Sequence, residues 1–229
     1  LVPMFVNKKF TKLRPENLLQ RAYDVKSPEE AIDLYRNWAG SYDQQLERGL
    51  RYVAPAVIAQ MLSVAEPDHT VRVLDVGCGT GLVGVSLSKL GFVHLDGLDF
   101  SSQMLDEARR KGVYTELIQA DLNESLDLAP STYGAAISCG TFTHGHVDAN
   151  ALDRIAPLLK PGAIFACTIH KAVWEAAGFA RTLERLGSDG VLVVEEIYER
   201  AYFDGSGPDG RFCLLRRCTY NRAVDSGKG

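Results

Sequence analysis

The chain has 229 residues, of which 46% are hydrophobic and 24% are charged, and its formal net charge at pH 7 is -4. This length is sufficient for one large α/β domain and too short for two domains of ordinary size. The negative charge disfavours nonspecific binding to nucleic acid, which requires a basic surface, so we expect no nucleic-acid partner.

The five cysteines include no C-x-x-C pair, and most of them fall in predicted strands. This is typical of buried thiols in a reducing compartment. No segment approaches roughly eighteen uninterrupted apolar residues, and the N-terminal residues lack the apolar core of a signal peptide. The sequence therefore predicts a cytoplasmic protein with no membrane partner.

The first predicted element is a helix from residue 28 to about residue 38. Ser27 is a suitable N-cap, Pro28 takes the first helical position, and Glu30 completes a capping box. Residues 39–43 then interrupt the helical period, so the helix is expected to end before them.

The stretch VLDVGCGTG is the most informative part of the sequence. A buried strand over residues 71–76 ends in three alternate glycines, Gly77, Gly79 and Gly81, and an amphipathic helix follows. Glycine lets the backbone take positive φ angles and lets a ligand approach the main chain closely. The pattern predicts a ligand-binding turn at the carboxyl end of the first strand.

Acidic residues lie at the ends of three predicted strands. Asp75 could accept hydrogen bonds from an ammonium group, directly or through water, and Asp99 could accept both hydroxyls of a ribose. Ala120, Asp121 and Leu122 follow the third strand, where the edge of an adenine could be recognised. These strand ends therefore offer sites for an amino-acid moiety, a ribose and a base.

The rest of the chain alternates between strands and helices. Ser101 and Ser102 offer an N-cap for a helix that Gly112 stops, and Asp148 can cap a later helix. The loop DGSGPDG joins the last two strands and leaves no room for a helix, so these strands are expected to be antiparallel. The predicted strands cover residues 71–76, 93–99, 114–120, 133–139, 163–169, 191–198 and 212–220, with a turn at 160–162, and the predicted helices cover residues 50–64, 82–90, 102–111, 149–159 and 173–186.

These motifs together resemble those of the class I methyltransferases that use S-adenosylmethionine. The segment from Asp75 to Gly81, Asp99 and Asp121 match the family's motifs residue by residue. The resemblance implies a Rossmann-like α/β fold with a seven-stranded, mostly parallel sheet and a C-terminal antiparallel hairpin. It also implies S-adenosylmethionine as the cofactor and S-adenosylhomocysteine as the product.

The segment LYRNWAGSYDQQL carries a second resemblance. Its Trp-Ala-x-x-Tyr-Asp pattern is similar to that of the Williams-Beuren region methyltransferase-like proteins, in which this segment covers the cofactor. By that resemblance the chain divides into an N-terminal arm and helical lid, residues 1–64, and a cofactor-binding core, residues 65–229, within one compact domain. Trp38 and Tyr42 would then lie near the methionine end of the cofactor; alternatively, they dock the helix onto the sheet.

The candidate site residues follow from the motifs and the resemblance. Met104 either packs on the adenine, as the family suggests, or is an ordinary core methionine. No metal site is expected. The predicted cofactor-binding residues are Trp38, Tyr42, Asp75, Gly77, Cys78, Gly79, Gly81, Asp99, Phe100, Met104, Ala120, Asp121, Leu122, Ser138 and Gly140.

The loop after the fourth strand should face the reacting atoms, because ligands of open parallel sheets lie beyond the carboxyl ends of the strands. It lacks the Asn-Pro-Pro-Tyr, Asp-Pro-Pro-Tyr and Pro-Cys motifs of nucleic-acid methyltransferases, which favours a small-molecule acceptor. His144 is the first candidate for a catalytic base, His146 the second and Tyr42 the third. Each could equally be a loop residue, and a metal site built from His144, His146 and Asp148 is not expected.

Two other functions remain open. Residues 79–84 also fit the G-x-G-x-x-G pattern of dinucleotide-binding proteins, and Asp99 stands near the expected distance for a ribose contact. The alternatives to a small-molecule methyltransferase are therefore an NAD(P)-dependent oxidoreductase and a noncatalytic module that binds S-adenosylmethionine.

Overall fold

The computed structural model describes residues 14–25, 28–143 and 147–219. Its centre is a seven-stranded sheet with the strand order β3-β2-β1-β4-β5-β7-β6. The first five strands in this order are parallel, and β7 pairs antiparallel with both β5 and β6. The strands are β1 (Arg72–Val76), β2 (His94–Asp99), β3 (Glu116–Gln119), β4 (Tyr133–Phe142), β5 (Leu159–His170), β6 (Leu192–Arg200) and β7 (Gly210–Arg217).

Helices cover both faces of the sheet, because alternate strand residues are buried on opposite sides. Leu74 and Val76 of β1 belong to a core with the helices that follow β4 and β5, whereas Val73 belongs to a core with the helices on either side of β1 in the chain. The helices are α1 (Pro15–Tyr23), α2 (Pro28–Asp43), a π-helix (Gln44–Gly49), α3 (Ala54–Ala65), α4 (Leu82–Lys89), α5 (Ser102–Lys111), α6 (Ala151–Ile155), a 3-10 turn (Ala156–Leu158), α7 (Lys171–Ala176) and α8 (Phe179–Ser188).

The N-terminal helices form a third, smaller core. Leu18 of α1 packs with Leu34 and Trp38 of α2 and with Leu46 of the π-helix. The predicted helix end before residue 39 is wrong, since α2 continues to Asp43. Trp38 and Tyr42 lie one turn apart on the same face, and their packing outweighs the poor helix propensity of the residues between them. The proposed N-cap, Ser27, lies outside the described residues.

The C-terminal half differs from the prediction at several element boundaries. Residues 160–162 belong to β5 rather than to a separate turn, and a register shift in its pairing with β4 accommodates them. The carboxylate of Asp148 accepts from the backbone N–H of Asn150 at 2.9 Å, so α6 begins only at Ala151. Gly178, at φ +78°, divides the predicted helix 173–186 into α7 and α8.

The predicted fold is confirmed: the sheet is mostly parallel, and its C-terminal strands are antiparallel. Within the described ranges, no helix has the length and the apolar character needed to cross a membrane.

Candidate active site

A cavity of about 100 Å³ lies beyond the carboxyl ends of β1, β2 and β4. Ligands of open α/β sheets bind at this edge, where the strand order reverses. Helix α2 supplies part of the wall on the other side. The cavity is lined by Tyr35, Tyr42, Gly77, Gly79, Leu98, Asp99, Phe100, Met104, Ala120, Asp121, Leu122, Asn123, Cys139, Gly140, Thr141 and Val147.

Ten of the fifteen predicted cofactor-binding residues line this cavity. The structure places Trp38, Asp75, Cys78, Gly81 and Ser138 outside the lining, and their contact with a cofactor stays a prediction. His144 and His146 lie outside the described residues. The lining also includes six residues that were not predicted to bind the cofactor: Tyr35, Leu98, Asn123, Cys139, Thr141 and Val147.

The glycine turn meets the cavity at Gly77 and Gly79. At Gly77, with φ +69°, a Cβ would collide with the side chain of Thr141, whose hydroxyl donates to the carbonyl of Val76 at 3.1 Å. At Gly79, with φ +53°, an added Cβ would have no atom within 4 Å. Gly77 therefore allows close packing of β1 and β4, and Gly79 leaves open space for a ligand.

Asp99 connects the turn to the second strand. Its Oδ2 accepts from the N–H of Gly79 and its Oδ1 from the N–H of Ser101, both at 2.9 Å. Burial raises the pKa of Asp99 to about 6, although these backbone hydrogen bonds act in the opposite direction. Asp99 is thus mainly a carboxylate at neutral pH, able to accept further hydrogen bonds from a ligand in the cavity.

Asp75 lies beneath the turn and is almost completely buried. The hydroxyl of Tyr114 donates to its Oδ2 at 2.6 Å, whereas Oδ1 is buried with no hydrogen-bond partner among the described residues. Burial raises the pKa of Asp75 to about 7, and the bond from Tyr114 lowers it. Oδ1 of Asp75 could therefore accept a hydrogen bond from a donor such as an ammonium group or a water molecule.

The remaining predicted contacts have structural roles. The indole N–H of Trp38 donates to Oε1 of Gln45 at 2.8 Å, and the ring packs against Tyr42 with centroids 4.7 Å apart. The hydroxyl of Ser138 donates to the carbonyl of Val76 at 2.8 Å and joins the ends of β1 and β4. The buried side chain of Cys78 packs on Gly97 of β2.

The glycines of the dinucleotide-like pattern also serve packing. A Cβ at Gly81 would lie 2.8 Å from the ring of Tyr114, and a Cβ at Gly84 would collide with the same side chain. The absence of side chains at Gly81 and Gly84 therefore makes room for Tyr114. Packing against Tyr114 is therefore enough to explain the glycines at these two positions, and no bound dinucleotide is needed to explain them.

The tyrosines of the site are poor bases. Burial raises the pKa of Tyr42 well above its usual value, and neighbouring acidic groups raise it further. Tyr42 therefore keeps its proton at neutral pH and presents a hydrogen-bonding hydroxyl to the cavity.

The strand order, the antiparallel C-terminal strands and the cavity at the carboxyl ends together define a Rossmann-like methyltransferase fold. Comparison with known proteins agrees: residues 73–162 match the family described as a methyltransferase domain. This segment, which contains the glycine turn, Asp99 and Asp121, matches a methyltransferase domain, and the fold is that of a solved S-adenosylmethionine-dependent methyltransferase of Mesorhizobium loti, with a TM-score of 0.53.

Two relatives illustrate the range of related proteins. Methyltransferase-like protein 27 of Homo sapiens is 33% identical over 153 residues, which cover 66% of this chain and 62% of that protein. The 18S rRNA (guanine-N(7))-methyltransferase of Bos taurus is 40% identical over 79 residues, which cover 34% and 27%. The chain therefore spans less than two thirds of either relative. The narrower resemblance to the Williams-Beuren region proteins stays a prediction.

A solved structure shows the same fold with its ligands. The 1,6-didemethyltoxoflavin-N1-methyltransferase of Burkholderia thailandensis, with bound 1,6-didemethyltoxoflavin and S-adenosylhomocysteine, superposes with a TM-score of 0.60 at 17% identity. The match covers 85% of this chain and 92% of that one.

Proposed function

We propose that the chain is an enzyme that transfers a methyl group from S-adenosylmethionine to a small-molecule acceptor. The observation that carries this proposal is the juxtaposition, within the methyltransferase segment, of the open glycine turn and the carboxylate of Asp99 in one cavity. A turn with space for a ligand beside a hydrogen-bond acceptor suits a nucleoside whose ribose hydroxyls donate to Asp99.

The rest of the cavity fits the other parts of the cofactor. Leu98, Met104 and Leu122 supply apolar surface for the adenine, and Asp121 supplies a polar group at its edge. The methionine part would extend past Gly77, toward the free oxygen of Asp75. In this proposal Asp75 accepts a hydrogen bond from the ammonium group of the cofactor.

The cofactor supplies an electrophilic methyl group on a positively charged sulfur, so the protein mainly aligns the acceptor and excludes water. Tyr42 and Gly140 border the end of the cavity that faces α2, and they would position the acceptor there. His144 remains our candidate for a base when the acceptor must lose a proton. The raised pKa of Tyr42 makes it a hydrogen-bond donor rather than a base.

The charges of the cavity lining and of the whole chain favour a small acceptor over RNA. The described residues that line the cavity include no lysine or arginine, and the chain as a whole carries a net charge of -4. Phosphate groups are normally held by such basic side chains. The bovine relative is named for 18S rRNA, so an RNA acceptor is the outcome that would contradict the proposal.

The test begins with thermal unfolding of the purified protein in the presence of S-adenosylmethionine, S-adenosylhomocysteine, NAD and NADP. Ligands that bind the folded state raise the unfolding midpoint. We expect a rise with the two adenosyl sulfur compounds alone, and a rise with only a dinucleotide would favour the oxidoreductase. Methyl transfer from labelled cofactor is then compared between total ribosomal RNA and an RNA-free small-metabolite extract. Binding without transfer to either would favour the noncatalytic module.

A further inference from the structure

A second cavity adjoins the first, and its walls are mainly aromatic. Its volume is about 40 Å³. Tyr35, Tyr42 and Gly140 line both cavities. The second cavity therefore begins where the proposed cofactor site ends, on the side of α2.

Two groups of rings form its walls. On α2, the ring of Trp38 stacks near Tyr35 with centroids 6.3 Å apart and meets the edge of Tyr42 at 4.7 Å. The second group comes from two other segments of the chain: the ring of Tyr52 lies 5.1 Å from Phe203 and 6.5 Å from Tyr202. Rings on two independent elements form a site for a third, flat ring between them.

The residues that line this cavity favour a neutral ligand over a charged one. No charged side chain occurs among the described residues that line this cavity. Burial raises the pKa values of Tyr42 and Tyr52 well above the usual tyrosine value, so both stay neutral. A carboxylate here would lack a cationic partner, and an ammonium would lie beside the positive sulfur of the cofactor.

We propose that this second cavity binds the methyl acceptor and that the acceptor is an uncharged aromatic ring with a hydroxyl or amine substituent. This inference depends on the proposed function. The acceptor's oxygen or nitrogen forms a bond to the methyl carbon while the carbon–sulfur bond breaks, and that electron pair remains on sulfur. The proton of the hydroxyl or amine passes to the base, for which His144 is our candidate, or directly to water.

The junction of the cavities contains the groups that would orient the substituent. The hydroxyl of Tyr52 lies 3.4 Å from the Sγ of Cys139, and Cys139 lines the cofactor cavity. Burial raises the pKa of Cys139 to about 12, so the thiol is protonated and does not compete for the methyl group as a thiolate. Tyr52 is thus placed to hydrogen-bond the substituent of the acceptor.

The cavity must widen to admit a ring, since about 150 Å³ is the volume in which a benzene molecule fits. The wall containing Tyr52 is attached to the sheet region: the N–H of Val53 donates to the carbonyl of Tyr202 at 2.9 Å, and the N–H of Asp204 donates to the carbonyl of Arg51 at 3.0 Å. We therefore assign the movement to α1 and α2, which form the other wall.

The test uses two naphthalene compounds of similar shape and different charge: 2-naphthol and 2-naphthoate. Each is titrated calorimetrically into the protein saturated with S-adenosylhomocysteine. We expect 2-naphthol to bind at least about tenfold more tightly than 2-naphthoate, because the carboxylate finds no cationic partner in the cavity. Equal or stronger binding of 2-naphthoate would overturn the proposal.

A matched pair of variants locates the binding. Phe203→Leu removes one ring and should weaken 2-naphthol by about fivefold while S-adenosylhomocysteine still binds normally. Tyr198→Leu removes an exposed ring of β6 outside both cavities and should change neither affinity. Equal effects of the two variants on 2-naphthol would contradict the proposed location.

One further measurement does not depend on any variant folding. In the unmodified protein, nuclear Overhauser contacts should join 2-naphthol protons to the rings of Tyr202 and Phe203, and contacts elsewhere would overturn the proposal. If S-adenosylhomocysteine does not bind at all, the proposed function fails. The same nuclear Overhauser contacts, measured in the protein without S-adenosylhomocysteine, would still show whether the aromatic cavity binds a neutral ring.

Discussion

The hydroxyl of Tyr114 donates a 2.6 Å hydrogen bond to Oδ2 of Asp75, a residue 39 positions earlier in the chain. The same tyrosine fills the space above Gly81 and Gly84. One side chain thus fixes both the carboxyl beneath the glycine turn and the packing of the helix that follows the turn. The second oxygen of Asp75 is buried and has no hydrogen-bond partner among the described residues.

The Tyr114 bond controls the ionisation of Asp75. In the folded chain, burial raises the pKa of Asp75 to about 7, and the bond from Tyr114 opposes this rise by stabilising the carboxylate. We expect Tyr114→Phe to move the pKa of Asp75 above 7. The measurement is a pH titration of the Asp75 carboxyl carbon by NMR. Tyr198→Phe, which removes an exposed hydroxyl that donates to Glu196, is the control and should leave Asp75 unchanged.

The raised pKa of Asp75 also makes the stability of the folded chain depend on pH. Because the folded-state pKa of Asp75 exceeds the ordinary value of 3.8, the folded chain holds this proton more tightly than the unfolded chain. The contribution of Asp75 to the free energy of unfolding therefore falls as pH rises from about 4 to about 7. Asp75→Asn should reduce this fall in urea denaturation curves recorded across that range. A variant with an unchanged pH profile would contradict the assigned pKa.

Asp99 is expected to make cofactor affinity depend on pH in the opposite direction. Its carboxylate accepts from Gly79 and Ser101 and, in our proposal, from the ribose. Since its pKa is about 6, affinity for S-adenosylhomocysteine should decrease as pH falls from about 7.5 to about 5. Asp99→Asn should weaken binding by about 1 to 3 kcal/mol, measured by calorimetry at pH 7.5.

The control for Asp99 lies on the same strand. Asp96 is also buried, but it accepts from Nε of Arg72 at 2.7 Å, away from the cavity. Asp96→Asn should lower stability and leave cofactor affinity unchanged. Equal loss of affinity in the two variants would mean that Asp99 acts through the fold rather than through the ribose.

The strand-end residues could be predicted because their positions depend on local patterns. A buried strand followed by glycines places Gly77 and Gly79 at the sheet edge, and the next strand ends at Asp99 by the same reasoning. Tyr114 could not be assigned in this way. It precedes β3, and its contact with Asp75 arises only when the strands assemble side by side.

The helical part was harder to predict because packing competes with propensity. Residues 39–43 were predicted to interrupt the helix, yet α2 continues through them and brings Tyr35 and Tyr42 to the cavity on one face. The spacing of seven residues between these tyrosines was the available signal. Thr141 had no comparable signal, because its position depends on the extension of β4 beyond residue 139.

A polar network connects the end of α2 to the glycine turn. Asp43 pairs with Lys111 of α5 at 2.5 Å and accepts a hydrogen bond from the hydroxyl of Thr80. Lys111 also donates to the carbonyl of Thr80. This network joins the wall that contains Tyr42 to the turn that contains Gly79.

Asp43→Asn should therefore loosen α2 locally. We expect faster amide hydrogen exchange in α2 and a loss of about 1 kcal/mol in the free energy of unfolding, because the network is only partly buried. Asp33→Asn is the control: Asp33 lies on the same helix and pairs with Arg36 in an exposed ion pair at 2.9 Å. If both variants exchange at the same rate, the network does not hold α2.

The open side of Gly79 allows a direct test of the cofactor cavity. Gly79 and Gly112 both have positive φ angles, +53° and +65°, and an added Cβ would meet no atom within 4 Å at either position. Alanine should therefore cost similar backbone strain at both, about 1 kcal/mol. Gly79 lines the cavity, whereas Gly112 ends α5 away from it.

Only Gly79→Ala should weaken the binding of S-adenosylhomocysteine. The new methyl group would occupy space that the ligand needs, with an expected loss of about 1 to 3 kcal/mol in binding free energy. Calorimetric titration of both variants measures this loss, and thermal unfolding without ligand checks that their stabilities match. Because the two substitutions impose the same strain, weaker binding in Gly79→Ala alone would place the cofactor against the turn, whereas equal affinities would place it elsewhere.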